Sequence, residues 1–310
     1  MNVIKLLLIA KDTSKLIIRN YSYLEEELKK LTDLTIWRKP GNIKDILEQL
    51  PTKPDFILIN DDIGGGFTLN VSGFVDINIP TGLFVNDVHQ YVQKREDYIK
   101  ENNIKYLFSV VKDRFFQQYP QFKDRFIWFP HYINSAIFRE YKQPKEIDML
   151  MMGAVNNWYP LRQLILRHYK YDPNFVYQKH PGYYAFHDIS DLLIGENYAK
   201  EINRAKLFFT CGSILNYPVL KYFEALACKT LLLAPTFPEL EEIGFIPGKH
   251  FVPITKDDFA TKADYYLQHD SEREAIVEEG YRFIMENHTV QIRAEQLVKK
   301  IEEIIKNEKR

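Results

Sequence analysis

The chain has 310 residues, of which 45% are hydrophobic and 27% are charged, so it can form one large domain or two ordinary ones, and we favour two. Its formal net charge of −1 gives no overall field that would attract nucleic acid or an anionic membrane. DNA binding is therefore not expected as the main task, and any contact with a polyanion has to be local.

The first apolar run, residues 3–10, predicts a β-strand. It contains Lys5, lacks the small-residue cleavage pattern of a secretory signal and is too short to span a bilayer. We therefore expect a cytoplasmic protein without stable membrane insertion. Cys211 and Cys228 both stand in apolar stretches, which is typical of buried thiols in a reducing compartment rather than of a disulfide scaffold or a metal site.

Short β-runs alternate with helical stretches along the first half of the chain. The predicted strands are residues 3–10, 34–38, 55–60, 81–86, 105–110 and 125–129, and the predicted helices are residues 21–31, 43–50 and 88–102. Alternation of this kind indicates a parallel sheet with helices on both faces. Each junction from a strand to a helix is a potential ligand loop.

The stretch 112–129 mixes basic and aromatic side chains, as membrane-surface segments do. Asp113 and Asp124 interrupt its positive charge. A helix and a strand packed into the fold are the commoner alternative, and a peripheral membrane contact stays open.

A second α/β series follows residues 130–144, which show neither the strand period nor the helix period. We place the domain boundary near Lys142, which gives domains 1–142 and 143–310. The predicted strands of the second series are residues 147–153, 174–178, 206–211 and 230–234, and its first helices are residues 160–169 and 198–205. The stretch 290–305 predicts a terminal amphipathic helix with one apolar stripe.

The helix before residue 230 places one carboxylate beside an apolar stripe. Leu220, Phe223 and Ala227 follow core-facing helical spacing, and Glu224 lies next to them, so its charge is partly desolvated unless a donor meets it. The alternative is an ion pair with Lys221 on a solvated face, worth ~0.2–0.5 kcal/mol. Asn216 fits the N-terminus of this helix, where free N–H groups would make an anion site.

Three stretches, in this order, carry a family resemblance: YAKEINRAKLFFTCGS from Tyr198, KYFEALACKTLLLAP from Lys221, and PELEEIGFIPGKHFV from Pro238. They resemble the nucleotide-sugar-binding half of GT-B glycosyltransferases, in particular the group 1 transferases of the CgeB-like, spore-maturation type. The resemblance is specific from about residue 148 to residue 252. In the wider group two Glu residues eight apart mark the donor site, and the second binds ribose. Asn216 stands at the first position and Glu224 at the second, while Lys229 replaces a usual Gly.

This resemblance implies two Rossmann-like domains facing a cleft. The first domain would hold an acceptor (a glycan, a protein or a small molecule), and the second would bind a nucleotide-diphosphate-sugar, with a UDP-sugar as first choice. No cofactor and no metal are implied. The terminal helix would cross back to the first domain, although packing on its own domain is nearly as good an alternative. Two other functions stay open: a non-catalytic scaffold, coat or assembly protein with a residual nucleotide pocket, and a nucleotide-sugar epimerase.

The donor-binding residues that the motifs and the resemblance suggest cluster at strand ends and at the start of the Glu224 helix. Glycine at a strand end lets a ligand approach the backbone, and an arginine can offer a planar fork to phosphate. For Lys179, an exposed and solvated side chain is equally expected. The predicted donor set is Gly153, Arg162, Lys179, Ser213, Asn216, Tyr217, Lys221 and Glu224.

Asp87 and His89 are the predicted catalytic residues, because they follow a strand of the first domain. Glycosyl transfer needs a base for the acceptor proton or a group that supports an oxocarbenium-like transition state; His89 has a suitable pKa, and Asp87 can orient it or act itself. The commonest alternative for Asp87 is a helix cap. Asp61 and Asp62 are the next candidates; since they are adjacent, they are not the Asp-x-Asp of metal-dependent GT-A enzymes.

Overall fold

The computed structural model describes residues 3–14, 16–17, 19–60, 70–182 and 192–309. The chain divides into two compact units, Met1–Pro130 with Gln291–Arg310, and His131–Val290. Each unit is built around a parallel sheet. The domain boundary near Lys142 stays a prediction, because the compact units mark contacts rather than independently folding domains.

The first unit contains a six-stranded parallel sheet in the order β2-β1-β4-β6-β7-β8, beside a separate pair β3-β5. Its inner strands are buried on both faces, which explains why unbroken apolar runs rather than alternating patterns mark them. All six strands predicted for this half form. The strands are β1 (Lys5–Ala10), β2 (Asp33–Trp37), β3 (Gly41–Asn42), β4 (Phe56–Asn60), β5 (Val71–Ser72), β6 (Thr81–Phe84), β7 (Tyr106–Ser109) and β8 (Phe126–Trp128).

Helices α1 (Asn20–Leu31), α2 (Ile43–Glu48), α3 (Val92–Glu101) and α4 (Asp113–Gln118) complete this part of the unit. The predicted start of α3 at residue 88 is wrong. Asp87 and Tyr91 have φ angles of +42° and +49°, which a right-handed helix cannot contain, and Tyr91 is the residue that caps α3. The alternative role of Asp87 as a helix cap is therefore wrong as well.

The mixed basic and aromatic stretch 112–129 folds into α4, a 3-10 segment (Pro120–Arg125) and β8. Three of its rings, Phe115, Tyr119 and Phe122, are buried. The packed alternative is thus confirmed for this stretch. Within the described ranges, no helix combines the length and the apolar character needed to cross a bilayer.

The second unit contains a five-stranded parallel sheet in the order β10-β9-β11-β12-β13. Its helices lie on both faces, and two buried apolar clusters line the sheet. Cys211 and Cys228 are buried free thiols, as predicted. The elements are β9 (Ile147–Gly153), α5 (Pro160–His168), β10 (Phe175–Lys179), α6 (Gly195–Asn203), β11 (Ala205–Phe209), α7 (Leu220–Ala227), β12 (Leu231–Ala234), α8 (Pro238–Glu242), β13 (Val252–Pro253), α9 (Phe259–Gln268) and α10 (Asp270–Asn287).

The last helix, α11 (Val290–Glu308), packs on the first unit. Its apolar stripe is buried, and its ends are fixed by polar contacts: Gln291 donates to Glu27 at 3.2 Å, and Glu308 accepts from the Tyr106 hydroxyl at 2.7 Å. The prediction that the terminal helix returns to the first domain is therefore confirmed, and the alternative of packing on its own domain is wrong. The stripe consists of Ala294, Leu297, Ile301 and Ile304.

Candidate functional site

The chain order of the second sheet reverses between β9 and β11. The strand that follows β9 in sequence, β10, pairs on one side of it, and β11 returns to pair on the other side. In open parallel sheets, ligands bind at the carboxyl ends of strands where the order reverses. The loops after β9 and β11 are therefore the first place to look for a site.

Three of the predicted donor residues, Gly153, Arg162 and Lys221, meet at this point. Gly153 ends β9 with a φ of +124°, and a Cβ there would lie 2.8 Å from Lys221 Cε and 3.4 Å from Arg162 Nη1. Only glycine leaves room for two cationic side chains to approach the strand end so closely. Tyr177 donates to the Gly153 carbonyl at 2.9 Å and holds the strand end in place.

Arg162 is 3% exposed and hydrogen-bonds the loops on both sides of the reversal. Its Nη1 donates to the Ala154 carbonyl at 3.2 Å, and its Nη2 donates to Thr210 Oγ1 at 3.0 Å and to the Cys211 carbonyl at 2.9 Å. The guanidinium also lies 3.9 Å from the centre of the Tyr159 ring. Protein oxygens thus occupy the fork that we predicted for phosphate, and Arg162 ties the two loops together while contributing a buried positive charge.

Lys221 supplies the second positive charge, and the residue as a whole is half-buried. Burial lowers the pKa of Lys221 to about 8; Glu224 opposes this shift and Arg162 adds to it. Burial also lowers the pKa of His180 to about 4, together with the charges of Lys221 and Arg162. His180 is therefore neutral at pH 7 and adjoins the two cations, whereas Lys179, at the end of β10, is exposed.

Glu224 is 8% exposed and is the fifth residue of α7. The Tyr198 hydroxyl donates to Glu224 Oε2 at 3.2 Å. Burial raises the pKa of Glu224, whereas Lys221 and the Tyr198 hydrogen bond lower it. Among the described residues, no ion pair or hydrogen bond joins Glu224 to Lys221, and Glu224 is buried, so the alternative of an ion pair on a solvated face is wrong.

The loop before α7 carries the remaining predicted donor residues, Ser213, Asn216 and Tyr217. The helix begins at Leu220 with Val219 as its cap, so the prediction that Asn216 opens it is wrong. Asn216 is exposed and has a φ of +52°, and this left-handed turn keeps the chain out of the helix for three more residues.

Ser213 is buried and shapes the same loop, since its Oγ accepts from the Leu215 N–H at 3.1 Å. Tyr217 is half-buried, and its carbonyl would lie 2.9 Å from a Cβ at Gly212. The loop is thus folded tightly over the end of β11. The structure places these residues beside the site, but it does not direct any of them at a ligand.

In the first unit, Asp87 is exposed and His89 is half-buried in the loop after β6. Burial lowers the pKa of His89; Asp87 opposes this shift, and Arg114 and Arg95 add to it. His89 is therefore neutral near pH 7, which is the form that accepts a proton. Asp61 and Asp62 lie outside the described residues.

Sequence reasoning did not foresee the hydrogen bonds that link a group of polar side chains near this loop. Asn60 ends β4, is buried and accepts from Asn86 Nδ2 at 3.1 Å, and the Tyr21 hydroxyl donates to Asn86 Oδ1. A buried asparagine at the end of an apolar strand was the available signal. In the second unit Tyr198 and Tyr177 were missed, because no local pattern links either to its partner.

Residues 161–299 match a family model described as glycosyl transferase-like, which is a little under half of the chain. No curated relative matches. Three solved structures are similar along their whole length. HepE from Anabaena, in complex with UDP and glucose, has 10% sequence identity and a TM-score of 0.66, and the match covers 96% of this chain and 99% of that one. A glycosyltransferase from Rickettsia africae has 12% identity and a TM-score of 0.65, with coverage of 99% and 100%, and sucrose-phosphate synthase from Thermosynechococcus elongatus has 10% identity and a TM-score of 0.66, with coverage of 97% and 99%.

At such low identity these likenesses show the fold. The chain has two parallel α/β sheets and the GT-B fold of HepE, so the predicted fold class is confirmed.

Proposed function

We propose that this protein is a glycosyltransferase that moves a sugar, a hexose in the first instance, from a UDP-sugar to an acceptor. The observation that carries the proposal is the meeting of Gly153, Arg162 and Lys221 where the second sheet reverses its order, with Glu224 one helical turn along α7. Two cations beside a bare strand end suit a diphosphate, and a buried carboxylate suits the hydroxyls of a ribose.

The match to a glycosyl transferase-like family over residues 161–299 supports this proposal, as does the fold shared with HepE, whose structure contains UDP and glucose. Kinship with the CgeB-like, spore-maturation transferases is a finer proposal that rests on the three sequence stretches alone. A cytoplasmic location is a further proposal, supported by the two buried free thiols.

Lys221, Arg162 and Glu224 have defined tasks in the proposed reaction. As the bond between the sugar and the diphosphate breaks, negative charge grows on the departing UDP, and the Lys221 ammonium stabilises it by donating to a phosphate oxygen. Arg162 holds the two loops of the site together, and its positive charge also stabilises the negative charge on the diphosphate. Glu224 accepts from a ribose hydroxyl. In the first unit, neutral His89 takes the proton of the acceptor hydroxyl, and Asp87 stabilises the imidazolium that forms.

A panel of nucleotide-sugars incubated without an acceptor tests the function. We expect slow hydrolysis of one UDP-sugar to UDP and free sugar, because water can take the place of the acceptor hydroxyl where the site stabilises the departing UDP. Binding without hydrolysis of any donor and without transfer to any acceptor would favour a scaffold with a residual pocket. Conversion of the sugar into its epimer without release of UDP would favour an epimerase.

Turnover should survive saturating EDTA. Arg162 and Lys221 supply the positive charge that Mg²⁺ would otherwise bring to the diphosphate, and the sequence has no spaced acidic pair after a strand to hold such an ion. The measurement is the rate of UDP release with and without chelator. Loss of the activity, with rescue by Mg²⁺ or Mn²⁺, would contradict this prediction and would direct attention to Asp61 and Asp62.

The affinity for UDP should fall about tenfold between pH 7 and pH 9. The charged form of Lys221 binds the diphosphate, so affinity is full below the Lys221 pKa of about 8 and is lost as the pH rises through it. Calorimetry at pH 7, 8 and 9 measures the effect. The matched control is Lys221→Arg, whose guanidinium stays charged throughout and should give a flat profile. An equal fall in that variant would assign the pH dependence to another group.

A further inference from the structure

We propose that Tyr198 is a positioning residue that touches Lys221 and Glu224 at the same time, keeps the two charges apart and so leaves both available to the nucleotide. This inference rests on the proposed function. It concerns the side chain of α6 that lies against the first two turns of α7.

Tyr198 contacts the two charges with different parts of its side chain. Its hydroxyl donates to Glu224 Oε2 at 3.2 Å, and Lys221 Nζ lies 5.7 Å from the ring centroid. The ring itself is held edge to face by Phe138, with centroids 6.1 Å apart. Tyr198 is thus fixed from behind and presents a polar tip to the carboxylate and an aromatic face to the ammonium.

Without such a partner, Lys221 and Glu224 would be expected to pair. They are three residues apart on a helix, where opposite charges are neighbours and attract each other, and Glu224 is buried, where attraction is stronger than in water. A Lys221–Glu224 pair would have to break before the ammonium met a phosphate or the carboxylate met a ribose. Tyr198 supplies each charge with a weaker partner in advance, so the nucleotide has no ion pair to disrupt.

The hydroxyl of Tyr198 is suited to this task because it remains a donor. Burial raises the pKa of Tyr198 well above its usual range, and the neighbouring Glu224 raises it further. The contact occupies Oε2 of Glu224, which leaves Oε1 to accept from the ligand. A single phenol therefore fixes the direction in which the carboxylate meets the ribose.

Tyr198→Phe tests the proposal, because it removes the hydroxyl and keeps the ring. Calorimetry with UDP should show affinity about tenfold weaker or more, as expected for loss of a hydrogen bond to a charged group. In a Glu224→Ala background, where the hydroxyl has no carboxylate to bond, the same change should alter the affinity by less than about twofold, since the two groups act as a unit. The matched control is Tyr141→Phe, which removes a hydroxyl that donates to the Ile137 carbonyl and should leave UDP binding unchanged.

A crystal structure of the free Tyr198→Phe protein gives a second, ligand-independent result. Lys221 Nζ should move to within ~4 Å of the Glu224 carboxylate, the distance of an ion pair. The proposal is overturned if Lys221 stays over the ring in that structure. It is also overturned if UDP binds the variant as it binds the wild type, or if the losses in the double variant simply add. Failure of the wild-type protein to bind UDP would instead contradict the proposed function, and the crystal structure would still decide the role of Tyr198.

Discussion

Replacing Glu224 by alanine should weaken UDP binding by about 1.5–3 kcal/mol, the usual contribution of a hydrogen bond to a charged group. This corresponds to an affinity about 10-fold to 150-fold lower. Glu224 is almost fully buried and one of its oxygens is fixed by Tyr198, so the carboxylate meets a ribose hydroxyl with little loss of freedom. Calorimetry on the folded variant measures the change.

Two variants sharpen this test of Glu224. Glu224→Gln keeps an acceptor oxygen without the charge, and it should lose less affinity than the alanine variant. Glu196→Ala removes an exposed carboxylate from the start of the neighbouring helix α6, where it pairs with Lys200, and it should bind UDP normally. Unchanged affinity in a folded Glu224→Ala protein would remove Glu224 from the donor site.

Replacing His89 by alanine should lower kcat by about 10²-fold to 10⁴-fold, the usual contribution of a positioned acid or base. Burial lowers the pKa of His89, so the neutral, proton-accepting ring is present at pH 7 and is lost as the pH falls through that pKa. The nucleotide affinity should stay near the wild-type value, because the imidazole belongs to the first unit and the proposed nucleotide residues belong to the second. Steady-state rates together with UDP calorimetry separate the two effects.

Asp87→Asn is the companion variant and should lower kcat within the same range. Asparagine tolerates the left-handed backbone of position 87, where φ is +42°, so the substitution removes the charge without straining the loop. Gln90→Ala changes an exposed neighbour in the same loop and should transfer sugar normally. Normal rates in both the His89 and the Asp87 variant would make the pair structural, and Asp61 or Asp62 would become the next candidate.

Six strands of the first sheet and four of the five strands of the second could be predicted from the sequence, because each is a short apolar run between polar stretches and helices. The fifth, β13, has only two residues, Val252–Pro253, and was not predicted. The helix starts were harder. α3 and α7 both begin later than expected, and in both cases the cause is a residue other than glycine with a left-handed backbone: Asp87 and Tyr91 before α3, and Asn216 before α7. Nothing in the local pattern distinguishes such a residue from the ordinary first residue of a helix.

For the candidate site, the sequence could reveal residues but not partners. Lys221 and Glu224 are close in sequence, so their proximity followed from helix geometry. The approach of Lys221 to Gly153 and the bond from Tyr198 to Glu224 join separate elements of the sheet, and only the strand order brings them together. For the same reason, the engagement of Arg162 by three protein oxygens could not be foreseen from its position after a strand.

The return of α11 to the first unit also has a consequence during biosynthesis. In order of sequence, the second unit is an insertion within the first. The part of α11 that belongs to the first unit, from Gln291 onward, therefore emerges from the ribosome only after every residue of the second unit. Until then, the surface of the first unit against which Leu297 and Ile301 become buried is exposed to solvent. The second unit can therefore reach its native contacts before the first is complete, which reverses the usual order in which domains mature from the N-terminus.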